Sequence, residues 1–145
     1  MAVMTSAGSL VGISASLPGT YDATGFNALT YTTLGEITDV SEFGREYNLV
    51  THTPLASRIA KKFKGSYNNG NVTFQYARNI SDAGQVMLKT ALGSDNSYSV
   101  KITLQDATKI YFTAKVMSFK TSLGGVDSMT AGSSTFELDS DIVEV

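Results

Sequence analysis

The 145-residue chain contains no cysteine and no tryptophan, only two prolines and a single histidine. Without thiols there is no disulfide framework, no cysteine-based zinc site and no cysteine nucleophile. A thiol-free chain suits any redox compartment. His52 stands alone in a polar stretch, with no second histidine for a metal cluster or a catalytic triad. No apolar run approaches the roughly 18 residues of a membrane-crossing helix. Met1 to Leu17 holds neither Lys nor Arg and so lacks the basic start of a secretory signal, which implies a product made and used in the cytosol. On that reading the acceptor patterns Asn71-Val72-Thr73 and Asn79-Ile80-Ser81 are chance. Gly124-Gly125 is not followed by Lys-Ser/Thr, so no phosphate-cradling loop is present. Asp139, Asp141 and Glu144 loosely resemble a calcium loop in spacing, but they lack its tight-turn glycine and fit a strand. Nothing singles out a pair of carboxylates for hydrolysis. No catalytic, cofactor-binding or metal residue is expected, and no cofactor.

What is present is a chain of ordinary single-domain length with 42% apolar residues, enough for a core without staples. Net charge is −2, against general nucleic-acid affinity, but it is unevenly laid out. Residues 1–42 carry Asp22, Glu36, Asp39 and Glu42 and no base. Residues 43–78 carry Arg45, Arg58, Lys61, Lys62, Lys64 and Arg78 against Glu46 alone, and the remainder is again acidic. Such blocks either offer complementary faces to further copies of the chain or intermix on its surface.

Alternation of apolar and polar residues dominates, so the fold is mainly β. Strands are expected at Leu10 to Ser16, at Tyr31 to Val40 with Gly35 as a bulge or close-approach point, and at Val72 to Arg78. Val100 to Met117 reads as a hairpin, with Val100, Ile102, Leu104, Ile110, Phe112, Ala114 and Val116 facing inward. On the last strand Phe136, Leu138 and Ile142 face inward, opposite Glu137, Asp139 and Asp141. Thr20 to Asn27 reads as a turn-rich connection. One helix stands out over 82–92. Ser81 or Asp82 can cap it, and Gln85 sits in capping-box position after Asp82. Ala83, Met87 and Ala91, with Leu88 and Leu92, form its apolar stripe, and Gly93 ends it. Gly84 in its first turn costs about 1 kcal/mol against Ala, which points either to close packing on a neighbour or to a tolerated surface glycine. Phe43 to Gly65 and Ser118 to Ser133 resist regular structure, and the first is too long for an idle loop in a compact domain. The whole of 1–145 reads as one domain with a flexible segment at 1–9 and a long arm or hairpin at 43–65.

The order of these parts is informative. A long run carries Thr53-Pro54-Leu55, followed by Lys64-Gly65-Ser66, the turn Asn68-Asn69-Gly70-Asn71, the strand Val72 to Arg78, the helix opened by Asp82-Ala83-Gly84-Gln85, and a closing set of strands. From Gly35 to Val145 this order resembles the major tail tube protein of long-tailed, siphovirus-type bacteriophages. The resemblance implies two packed antiparallel sheets forming a barrel-like sandwich flanked by one short helix. It implies six copies closing into a ring around a continuous inner β-barrel, and rings stacking into a hollow tube. The arm at 43–65 and the N-terminal segment would then reach between rings. It further implies a non-catalytic virion protein, assembled in the host cytoplasm, through whose lumen DNA passes without specific binding. Partners would be copies of itself, a tape measure protein, the tail tip or baseplate and a tail terminator, with no membrane. Inner tubes of contractile tails and secretion systems share the fold and are an alternative, as is a non-catalytic β-sandwich binding module of a tail tip or adhesin.

On this reading Arg45, Arg58, Lys61, Lys62 and Lys64 are candidates for a ring–ring interface. The stretch Arg58 to Lys64 also reads as a phosphate-contacting patch with Phe63 as a stacking ring, or as a solvated face. Glu137, Asp139 and Asp141 are candidate lumen-facing acids, with Glu36 beside Thr38 and Val40 a weaker set. Asp82, Gln85, Met87, Leu88 and Ala91 form the structural helix.

Overall fold

The computed structural model describes residues 3–145, so Met1 and Ala2 of the N-terminal segment lie outside the described residues. The chain runs through β1 (Leu10–Ser14), α1 (Ala23–Asn27), β2 (Thr32–Leu34), β3 (Ile37–Val40), β4 (Glu46–His52), β5 (Lys61–Asn68), β6 (Asn71–Ala77), α2 (Ala83–Leu92), β7 (Tyr98–Thr103), β8 (Lys109–Val116), β9 (Lys120–Ser122), β10 (Ala131–Leu138) and β11 (Val143–Glu144). The fold is mainly β, as the alternation requires.

The strands do not form two packed sheets. One nine-stranded antiparallel sheet follows the order β2-β1-β7-β8-β10-β6-β3, with β11 paired to β8 and β9 to β10, while β4 and β5 form a separate two-stranded sheet. The reason lies at Gly35–Glu36. The segment 31–40, expected as one strand, breaks there with Glu36 at φ 61°, and its halves become β2 and β3, the opposite edges of the large sheet. Leu34 and Ile37 are only three residues apart, so those edges lie within about 11 Å. The sheet therefore rolls round on itself. It stops short of a closed barrel, because among the described residues no ladder joins β2 to β3.

Inside the roll lies the core, built from alternate residues of the long strands of the large sheet: Val11 and Ile13, Val72, Phe74 and Tyr76, Val100 and Ile102, Phe112, Ala114 and Val116, Phe136 and Leu138. Part of the outer face is covered by a helix. Helix α1, begun by Asp22 accepting from the Gly25 N–H at 2.8 Å, sets Phe26 parallel to Tyr111 with ring centroids 5.3 Å apart. Tyr111 donates to Asn27 Oδ1 at 2.5 Å. The turn-rich reading of 20–27 missed this helix because it is too short to carry a periodic signal.

Helix α2 lies against the open seam. Asp82 Oδ2 accepts from the Gln85 N–H at 3.0 Å, which caps the helix, and from the Gly35 N–H at 3.1 Å, which ties it to the break between β2 and β3. The reciprocal half of a capping box is absent. The Gln85 side chain instead donates to the Ala77 carbonyl at 2.8 Å and accepts from the Asn79 N–H at 2.9 Å. The buried face is Gly84, Gln85, Leu88 and Ala91, with Met87 half-buried at its margin and Leu92 42% exposed. Relative to the apolar stripe, it is turned toward the glycine and glutamine that meet the seam.

Candidate assembly interface

The run after Phe43 is a hairpin that stands away from the rolled sheet. Among the described residues, strands β4 and β5 pair only with each other, and their residues are exposed except for half-buried Gly65. The register pairs Val50 with Phe63, Thr51 with Lys62 and His52 with Lys61, leaving 53–60 as the tip. The hairpin therefore extends past Gly65 to Asn68. An Asn-Gly pair normally closes a hairpin. Here Asn69-Gly70, with Gly70 at φ 75°, turns the chain out of β5 into β6, which belongs to the other sheet.

A two-stranded hairpin has too little buried area to be stable by itself. This one displays Leu49 at 66%, Ile59 at 72% and Phe63 at 54% exposure. Its bases divide between faces by the strand period. Lys62 and Lys64 share one face with Leu49 and Tyr47, and Lys61 lies with Phe63 and Val50 on the other. A single phosphate-tracking stripe is thus not formed. Arg58 sits in the tip, exposed.

A polar cluster holds the hairpin's root. Arg45 Nη2 lies 3.0 Å from Asp141 Oδ1, and the guanidinium covers the Tyr67 ring at 4.1 Å from its centroid. Tyr67 packs on Tyr47 at 5.2 Å, Arg45 Nη1 donates to Tyr47 at 3.2 Å, and Lys64 lies 4.8 Å from the Tyr47 ring. The Asn69 amide donates to the Ser140 carbonyl at 3.1 Å and to Asp141 at 3.3 Å. The hydrogen bond from Asn69, with the Arg45 charge and Tyr67 hydroxyl, holds the Asp141 carboxyl below the ordinary aspartate range despite some desolvation. Two expected site residues, Arg45 and Asp141, thus meet in one ion pair. Tyr47, Tyr67 and Asn69 carried no sequence signal for this role, because they converge only when β11 returns beside the hairpin root.

The three acids at the C-terminal end do not share one strand. β10 ends at Leu138, so Glu137 lies within it and Asp139 and Asp141 lie beyond it. Glu137 is exposed, opposite Lys115 in the ladder, and accepts from the Asn71 amide at 3.2 Å. Asp139 pairs with Lys115 at 3.1 Å and accepts from Ser97 and from Thr113 Oγ1. Burial would push its carboxyl up, but these hydrogen bonds and the Lys115 charge outweigh that and hold it low. Among the described residues, Arg45–Asp141 and Lys115–Asp139 are the ion pairs, so Arg58, Lys61, Lys62 and Lys64 spend no charge on an acid of their own chain. No group of three or more His, Asp or Glu residues suited to a metal occurs among the described residues.

Comparison with known proteins identifies the family and the fold. A family model described as phage tail tube protein, TTP, matches residues 1–145. Comparison with curated protein sequences gave no match. Among solved structures, the chain is similar to the PVC sheath/tube terminator of an extracellular contractile injection system in its extended state, at 11% identity and a TM-score of 0.73, covering 100% of this chain and 98% of that one. It is similar to the tail of an empty GTA particle refined with C6 symmetry, at 10% identity and a TM-score of 0.66, covering 92% of each. It is also similar to the SPP1 tail tube, at 12% identity and a TM-score of 0.62, covering 94% of this chain and 75% of that one. At such identities the likenesses establish the fold, and the family match establishes the rest. The chain belongs to the phage tail tube protein family: it is a non-catalytic structural protein of the virion that forms the tail tube.

Proposed function

We propose that six copies of this chain close into a ring, that rings stack into a hollow tube for genome ejection, and that the hairpin Glu46–Asn68 is the element that joins one ring to the next. The observation that carries this reading is the hairpin itself. It exposes apolar side chains on both faces together with Arg58, Lys61, Lys62 and Lys64, and another copy would give it a surface to bury. The sixfold count is supported by the C6 symmetry of the similar GTA tail. The open edge β2 supports lateral closure, since an edge without a partner strand among the described residues is a template for a neighbouring strand. Stacking is a head-to-tail contact and propagates into a filament. Among the described residues, Glu137 is the member of its acidic trio outside any ion pair, and a ring of lumen-facing Glu137 carboxylates would repel passing DNA. A tape measure protein, a tip or baseplate and a terminator complete the assembly on this reading.

The test is electron microscopy of the purified protein across a concentration series, with sedimentation alongside. Hollow tubes or six-membered rings are expected. Lys61→Glu with Lys62→Glu should leave the subunit folded and abolish stacking. Tubes of ordinary length from that double variant would remove the hairpin from the ring–ring contact.

A further inference from the structure

We infer that the hairpin tip of one copy docks in an apolar groove at the open seam of a copy in the next ring. This rests on the stacked-tube reading and names the receiving surface, which that reading leaves unspecified. The groove offers about 310 Å³ and is walled by Ile37, Val40, Phe43, Leu104 and Ile110, each only partly buried. It exists because the barrel does not close: among the described residues β3 has no strand on its outer side, so core-facing side chains beside it stay open to solvent.

The tip supplies the matching chemistry. Leu55 and Ile59 are fully or largely exposed in a segment where only Pro54 and Ser57 are even half-buried. Charge points to the same occupant. Asp39 lines the groove, and Glu36 and Glu42 flank it on the same stretch of chain. None of these acids has an ion-pair partner among the described residues, and neither have Arg58, Lys61 and Lys62 around the tip. Docking would bury apolar surface on both sides and pair two unspent sets of opposite charge. Self-docking is disfavoured by length. The groove lies near the hairpin's root at Phe43, and an eight-residue strand carries the tip roughly 25 Å away. A tip one subunit removed from its own groove makes the contact head-to-tail.

Because the chain has no cysteine, the contact can be read by disulfide trapping in assembled tubes. Ile59→Cys in the tip is combined with Thr38→Cys in the groove wall, and tubes are oxidised mildly and run without reductant. Head-to-tail docking between rings converts monomer into a ladder of multimers that continues past six. The control pair Ile59→Cys with Asp95→Cys, on the loop after α2, should stay monomeric. Leu55→Cys with Ser9→Cys reads the same contact from another lining residue and serves if the first pair does not assemble. Tubes without a ladder, a ladder that stops at six, or equal trapping in the control would overturn the docking and leave the tube reading standing. Failure of the cysteine-free protein to form tubes under any condition would overturn both.

Discussion

Gly84→Ala gives a test in which two physical effects predict opposite signs. Helix propensity alone favours alanine by about 1 kcal/mol in a helix turn. The structure puts backbone where the methyl would go. A Cβ at Gly84 would sit 2.6 Å from Leu34 Cα and 2.6 Å from the Thr33 carbonyl oxygen. Ordinary contact needs close to 3.5 Å or more, so α2 would have to lift from β2 by nearly 1 Å. Backbone cannot rotate out of the way as a side chain can. The same lift strains the Asp82–Gly35 hydrogen bond, which crosses that interface, and the Gln85–Ala77 bond, which ties α2 to the end of β6. Overpacking of this kind costs about 1–3 kcal/mol, and the strained bonds add about 1 kcal/mol. After subtracting the propensity gain, the variant should be about 1–3 kcal/mol less stable. Urea unfolding followed by far-ultraviolet circular dichroism measures this as a lower midpoint at unchanged slope. A midpoint equal to or above that of the parent would show that α2 does not pack on β2 as described, and the account of the seam would fall with it.

Gln85→Met keeps the volume but removes the bonds to Ala77 and Asn79; a loss of about 2–4 kcal/mol is expected in the same unfolding assay, and a change below about 0.5 kcal/mol would show that the amide is dispensable. Asp139 has a folded-state pKa lowered from 3.8, so its stabilisation is complete above that value and drains away as pH falls through the lower folded value. Asp139→Asn should therefore lose less stability than the parent as pH falls below 3.8, and parallel curves would refute the assignment. Trypsin should cut the isolated subunit first after Arg58, Lys61 or Lys62, in and beside the exposed tip, and assembled tubes should resist. Equal cutting rates in subunit and tube would mean that the hairpin stays uncovered on assembly.

The sequence by itself determined the class of fold, and family membership was legible in the order of its parts. Alternation at Val72–Tyr76, Val100–Leu104 and Ile110–Val116 has the strand period, and the interior side of those strands follows from it. Asp82 as a helix cap was legible because capping is a contact between residues three apart. What only the tertiary structure decided depends on residues far apart in the chain. The break at Gly35–Glu36 sends the halves of an apparently continuous strand to opposite edges of one sheet, and pairing with β1 and β6, not local propensity, selects that outcome. The face that α2 buries is set by the seam, where a glycine allows backbone approach and a glutamine meets stranded backbone groups, so a stripe drawn from apolar residues alone is rotated away from it. The meeting of Arg45 with Asp141 joins residues 96 positions apart. Charge patterns show which residues carry charge, whereas tertiary pairing decides which of those charges remain free for another copy.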